Sequence, residues 1–412
     1  MSPLLKIEEP PAGDPTAPSW HAFLELGFRP LYLAGASWAM IAIVIWIFFP
    51  QWLTGRLQGV MWHGHEMLWG FIVTVAVGFL MTAGANWTGM NPLPQRALGT
   101  VCLLWGGARL AYLLPGDVAF LVAALCEIGF LMGAAGAMTI AVIRSRNYRN
   151  VGVPLVLMGL AVADVLLLAA VRSGNDALGL RYFHMGLMLM AMLVLLIGRR
   201  VVPFFAMRAV FGLDIPQHKR SGQVQLVLAM AVILGLILKN VAMTALALAA
   251  IGFISIWQVL GWKPWAVRSR PILWILYLGY GVTGLGLLVA AGSHLDPSLR
   301  GAWSVHTIAM GGFTVLIIGM MTRTALGHLG RPLELSGMML VTYGLVIGAT
   351  VFRLAALLAS PVMDIALITA AVMWMSAFAL YIWEFFPMMI RPRPLPRTAR
   401  GTISTSPNSH TA

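Results

Sequence analysis

The run Trp62-His63-Gly64-His65-Glu66-Met67 places two imidazoles and a carboxylate at the opening of a long apolar stretch. Ionisable side chains in a membrane-spanning segment are costly, so they face a bundle interior and mark sites. Successive helical residues turn by about 100°, so His63 and His65 point to nearly opposite sides, whereas His63 and Met67 share a face. Two imidazoles so disposed serve two partners, or one ligates while the other hydrogen-bonds. His184, in Arg181-Tyr182-Phe183-His184-Met185-Gly186, and His306, in Trp303-Ser304-Val305-His306, open two later apolar stretches at the same end. Neutral imidazole is the common protein ligand of haem iron and copper. Four histidines at one depth therefore point to a metal or haem site, with Glu66 as an acceptor that orients an imidazole.

Arg109 and Arg353 lie at the same depth. Each can hold a haem propionate through its forked guanidinium, or pair with an acid: Arg109 with Asp117 or Glu127, and Arg353 with Asp364. Glu127 and Asp164 read either as part of a proton path or as hydrogen-bonded structural acids. His294 falls in a connecting loop as a rim residue, and His21, His218, His328 and His410 lie outside the shared depth. His65-Glu66 begins a zinc-protease-like pattern, but Trp69 stands where its second histidine belongs. Cys102 and Cys126 form no disulfide framework, and no Cys-x-x-Cys-His occurs, which excludes covalent c-type haem attachment. Most of the 26 methionines read as packing residues.

The elements that must position these residues follow from composition. Of 412 residues, 59% are hydrophobic and 10% charged, with a mean hydropathy of +0.85. A soluble chain of this size needs more charge to cover its surface. Segments alternating apolar and polar residues, the mark of a membrane β-barrel, are absent. The fold class is therefore an all-α polytopic membrane protein. Apolar stretches fall near 27–49, 63–85, 97–114, 117–143, 152–172, 181–206, 223–241, 243–262, 271–292, 301–322, 335–358 and 361–385, which predicts about twelve transmembrane helices. The seventh and eighth are nearly contiguous and form a tight hairpin.

Most Lys and Arg residues fall in the termini and alternate loops, including Arg144, Arg146, Arg149, Arg199, Arg200, Arg208 and Lys219. This bias puts both termini in the cytoplasm and accounts for the net charge of +13 without nucleic acid. Three regions result: a polar tail at 1–26 with no cleaved signal peptide, a transmembrane domain at 27–388, and a basic, disordered tail at 389–412.

At its motifs the chain resembles the NnrS family of bacterial membrane proteins. The matching pieces are Gly27-Phe28-Arg29-Pro30, the Trp62–Met67 run with Asn86-Trp87-Thr88-Gly89, Phe183-His184-Met185-Gly186 with Gly198-Arg199-Arg200 through Phe204-Phe205, His306 with Gly311-Gly312, Gly319-Met320-Met321-Thr322-Arg323, and Gly327-His328-Leu329-Gly330-Arg331-Pro332. The resemblance implies an inner-membrane protein carrying haem and copper that acts in the response to nitric oxide and its tolerance during denitrification. A more distant resemblance is to the catalytic subunit of haem–copper oxidases, whose twelve helices place ligands on helices two, six, seven and ten. Here the seventh stretch has no histidine and the tenth has one, which removes the ligands of a three-histidine copper centre.

These observations and resemblances lead to an expectation of a b-type haem held by His63 or His65 together with His306. His184 and the remaining helix-two histidine would take copper or a second haem. The protein would bind or handle nitric oxide or iron–nitrosyl species, with an external electron donor if it is redox-active. The rival readings are a proton-coupled secondary transporter with a histidine-lined site, marked by broken helices, and an assembly factor without a chromophore.

Overall fold

The computed structural model describes residues 17–394 except Pro297, Ala359 and Ser360. The distal parts of both expected tails, 1–16 and 395–412, lie outside the described residues. Among those described there are helices and no strands. The long helices are α1 (Phe28–Phe48), α2 (Gly59–Thr88), α3 (Gln95–Tyr112), α4 (Asp117–Arg144), α5 (Gly152–Arg172), α6 (Asp176–Ala209), α7 (Lys219–Leu238), α8 (Val241–Gly261), α9 (Pro271–Leu295), α10 (Gly301–His328), α11 (Gly337–Ala355) and α12 (Met363–Met389). Eleven are long and apolar enough to cross a membrane. The twelfth, α3, is 18 residues long, and Gln95, Arg96 and Arg109 lower its hydropathy. Their outer faces carry large apolar side chains such as Leu103, Val118, Leu246 and Trp383, as a lipid-facing surface requires.

Helix ends follow local chemistry. Asn175, Asn240 and Ser336 cap α6, α8 and α11 by accepting backbone N–H groups of Leu178, Met243 and Met339. The tight α7–α8 hairpin is present: Lys239 turns the chain with a φ of 56°, and Asn240 starts the next helix. Arg56, in the loop before α2, forms an ion pair with Asp117 at the start of α4.

Two central helices share a departure from regular geometry. Within α2, Glu66–Val73 winds as a π-helix of eight residues, and within α10 Thr307–Thr314 does the same over eight residues. Each wide segment begins directly after a histidine, His65 or His306. Each is closed by a threonine hydroxyl that donates five residues back: Thr74 to the Trp69 carbonyl at 3.0 Å and Thr314 to the Ala309 carbonyl at 2.8 Å. π-Helical turns concentrate at functional sites because they re-aim side chains at a local energetic cost. The wide segments of α2 and α10 contact each other, and α2 is 83% buried over its apolar window against 33% for α7 and α11. The two helices with the wide turns thus lie inside the bundle.

Glycines let α9 and α10 approach closely. A Cβ at Gly279 would come within 2.7 Å of the Leu316 backbone nitrogen, and one at Gly286 within 2.9 Å of that of Ile308. Small residues at such crossings drive helix association where lipid removes the hydrophobic effect.

Candidate functional site

α2 carries its two histidines to different places, as their spacing predicts. His63 faces a cavity of about 360 Å³ that Met67, His184, His306 and Arg353 also line. The ring of His63 lies 5.0 Å from that of Trp46 with 9° between the planes. Its Nδ1 is buried and has no hydrogen-bond partner. The rings of His63 and His306 are centred 6.4 Å apart and inclined by 22°. His306 donates from Nδ1 to the Ala302 carbonyl at 2.8 Å, which leaves Nε2 with a free lone pair. The imidazole pair, the apolar walls and the guanidinium of Arg353 are the side-chain types that would hold a metal-centred group with acidic substituents.

His65 has another environment. It is fully buried, and both ring nitrogens meet carboxylates: Nδ1 with Glu66 Oε1 at 2.9 Å and Nε2 with Asp164 Oδ1 at 3.0 Å. No lone pair remains for a metal. Glu66 Oε2 in turn accepts from Trp38 Nε1 at 2.6 Å and from Arg109 Nη1 at 2.8 Å. Arg109 also meets Glu127 through Nη2. The backbone leaves this cluster room at Gly70, where a Cβ would lie 2.9 Å from Glu66 Oε2. His65, Glu66, Arg109, Glu127 and Asp164 are each at most 2% exposed, so five ionisable groups from four helices form one interior network. Buried charges persist where they are paired and hydrogen-bonded.

Several expected positions change accordingly. Arg109 is placed in the acid network with Glu127, one of the two acids considered for it, and not on the cavity wall. Arg353 lines the cavity and has no ion pair with Asp364 or any other described residue. Glu66 orients an imidazole, but that imidazole is His65 and not a cavity histidine. His184 joins His63 and His306 on the cavity, yet no three His, Cys, Asp or Glu side chains among the described residues gather closely enough to hold a metal ion. His184 also lines a second cavity of about 350 Å³ with His294, which the sequence places on a loop rim. The helix α9 runs through His294 to Leu295, and Nδ1 of His294 donates to the Ala290 carbonyl at 2.9 Å. The sequence gives no sign of this partnership beyond residue type.

The fold and site define a polytopic helical membrane protein with a histidine-lined internal cavity. The chain belongs to the NnrS protein family, whose model matches residues 22–393. A comparison with curated proteins found no match.

Proposed function

We propose that this chain is a haem-holding inner-membrane protein that binds or handles nitric oxide or iron–nitrosyl species and so contributes to the response to nitric oxide and its tolerance. The observation that carries the reading is the facing pair His63 and His306, each with an uncommitted ring nitrogen, across an apolar cavity that includes Arg353. Membership of the NnrS family supports the same chemistry.

In this reading His63 and His306 would hold the haem through their uncommitted ring nitrogens. Arg353, on the cavity wall, would hold a propionate by charge-assisted hydrogen bonds. Trp46 fixes the plane of His63, and the carbonyl of Ala302 fixes the tautomer of His306. When bound, the haem would supply an iron centre that takes nitric oxide where one of the two imidazoles gives up its place. The apolar lining admits a small apolar gas from the lipid and keeps bulk water out. Copper does not find a matching donor set: His65 is committed to carboxylates, and His184 has no second and third protein donor beside it among the described residues. The proton-coupled transporter reading asks for broken helices, whereas α2 and α10 are widened but continuous.

The test is an optical spectrum of the detergent-purified protein, oxidised and reduced, with and without nitric oxide. A Soret band that is lost in both His63→Ala and His306→Ala, retained in His184→Ala and shifted by nitric oxide is the expected result. A folded protein, produced with ample haem and lacking the band, would overturn the assignment.

A further inference from the structure

Among the motif segments outside the histidine cavity are Gly198 through Phe205 at the end of α6 and Thr322-Arg323 in α10. Both reach a further pocket at the Lys- and Arg-rich end of the bundle, of mixed cationic and apolar lining, with a volume of about 740 Å³. Arg208, Arg270 and Arg323 line it, with Glu334 as the only carboxylate among the lining side chains. Arg323 is only 9% exposed, and its guanidinium sits 3.9 Å above the centre of the Phe205 ring. It has no ion pair or hydrogen bond with another described residue. Arg208 lies 4.9 Å above Phe204 in the same manner. A guanidinium stacked on an aromatic face keeps its N–H edge free for an oxyanion.

The backbone adds to this field. The first turns of α9 and α11, at Pro271–Leu273 and Gly337, line the same pocket. Helix N-termini present partial positive charge and favour anions. Ser336 is not available to a ligand, since it caps α11 and donates to Glu384 at 2.7 Å. The pocket's apolar side is formed in part by Phe204, Leu333 and Leu340, all large and exposed. A ligand here meets a cationic base and an apolar flank.

We propose that this pocket binds the phosphate of an anionic phospholipid, with Arg323 as its buried anchor and Arg208 and Arg270 at its mouth. Phosphate is the shared chemistry of a lipid headgroup and a soluble phosphate. The exposed apolar flank selects the lipid, because acyl chains can continue along it. Basic pockets between helices on the cytoplasmic side of membrane proteins hold anionic headgroups by this combination of forces. The proposal is independent of any group held by His63 and His306.

The test uses the purified full-length chain in non-ionic detergent. Its thermal unfolding is followed by tryptophan fluorescence during titration with dioleoyl phosphatidylglycerol, dioleoyl phosphatidylcholine or sodium phosphate. Phosphatidylglycerol is expected to raise the midpoint saturably, and Arg323→Gln to require roughly five- to ten-fold more lipid for half the effect. Arg270→Gln, an exposed loop change, is expected to weaken the response in the same direction and keeps the test readable if Arg323→Gln does not fold. Equal responses to the two lipids, or unaltered responses in the variants that fold, would overturn the site. A response to sodium phosphate as large as that to phosphatidylglycerol would overturn the lipid as its source.

Discussion

The imidazole of His63 lies flat against the indole of Trp46, ring centres 5.0 Å apart and planes 9° apart. A stacked aromatic restricts rotation about the imidazole's χ2 and presents its nitrogens in one direction. Trp46→Leu keeps an apolar wall but removes the flat face. The variant is expected to fold and to lose haem several-fold on purification, read as haem per polypeptide. Full haem content in Trp46→Leu would show that the stacking does not hold the ligand in place.

The two helix-two histidines should separate by phenotype. His63→Ala removes a side chain with no hydrogen-bond partner, so its effect on the thermal stability of the haem-free protein is expected to be small while its effect on the chromophore is complete. His65→Ala breaks two buried hydrogen bonds to Glu66 and Asp164. Each buried partner left unsatisfied costs about 1–3 kcal/mol, so this variant is expected to unfold at a clearly lower temperature. A stable His65→Ala protein that lacks only its haem would reverse the assignment.

Arg109 is the single guanidinium between Glu66 and Glu127. Arg109→Met leaves both carboxylates buried without it, and breaking a buried pair in this way costs roughly 3–5 kcal/mol. Low yield and a depressed unfolding midpoint are expected. Arg109→Lys should recover part of the loss, because a single ammonium cannot reproduce the forked contact. A midpoint for Arg109→Met equal to that of the parent would mean that the acids carry no charge in the fold.

Thr74 and Thr314 make the equivalent hydrogen bond at the end of each wide turn. Thr74→Val and Thr314→Val preserve shape and remove the hydroxyl. Each is expected to lower stability by about 1 kcal/mol. A stabilising effect in either variant, measured by thermal unfolding, would show that the hydroxyl opposes the wide turn.

Sequence alone carries the helical membrane class, because apolar length and sparse charge are local properties. It also separates His63 from His65, since helical rotation is a backbone constant. It cannot show that Asp164, 99 residues away, meets His65, or choose between acid and propionate for Arg109, because both are decided by packing. The π-helical turns are invisible in an apolar run: Glu66–Val73 offers almost no polar landmark by which a changed period could be read. The reach of α9 to His294 was hidden by the polar residues after Gly292, which read as loop although the helix continues.

The network at His65 also restricts how the bundle can respond to a ligand. Rotation of α2 would pull His65 from Glu66 and Asp164 in a medium that offers no replacement partners, so α2 behaves as a fixed axle. His306 is tied only to a carbonyl of its own helix. The two histidines of the cavity thus stand on helices of unequal polar anchorage: α2 is keyed to α1, α3 and α5 by the buried hydrogen bonds and ion pairs of His65 and Glu66, whereas α10 meets α9 through the shape of its glycine crossings.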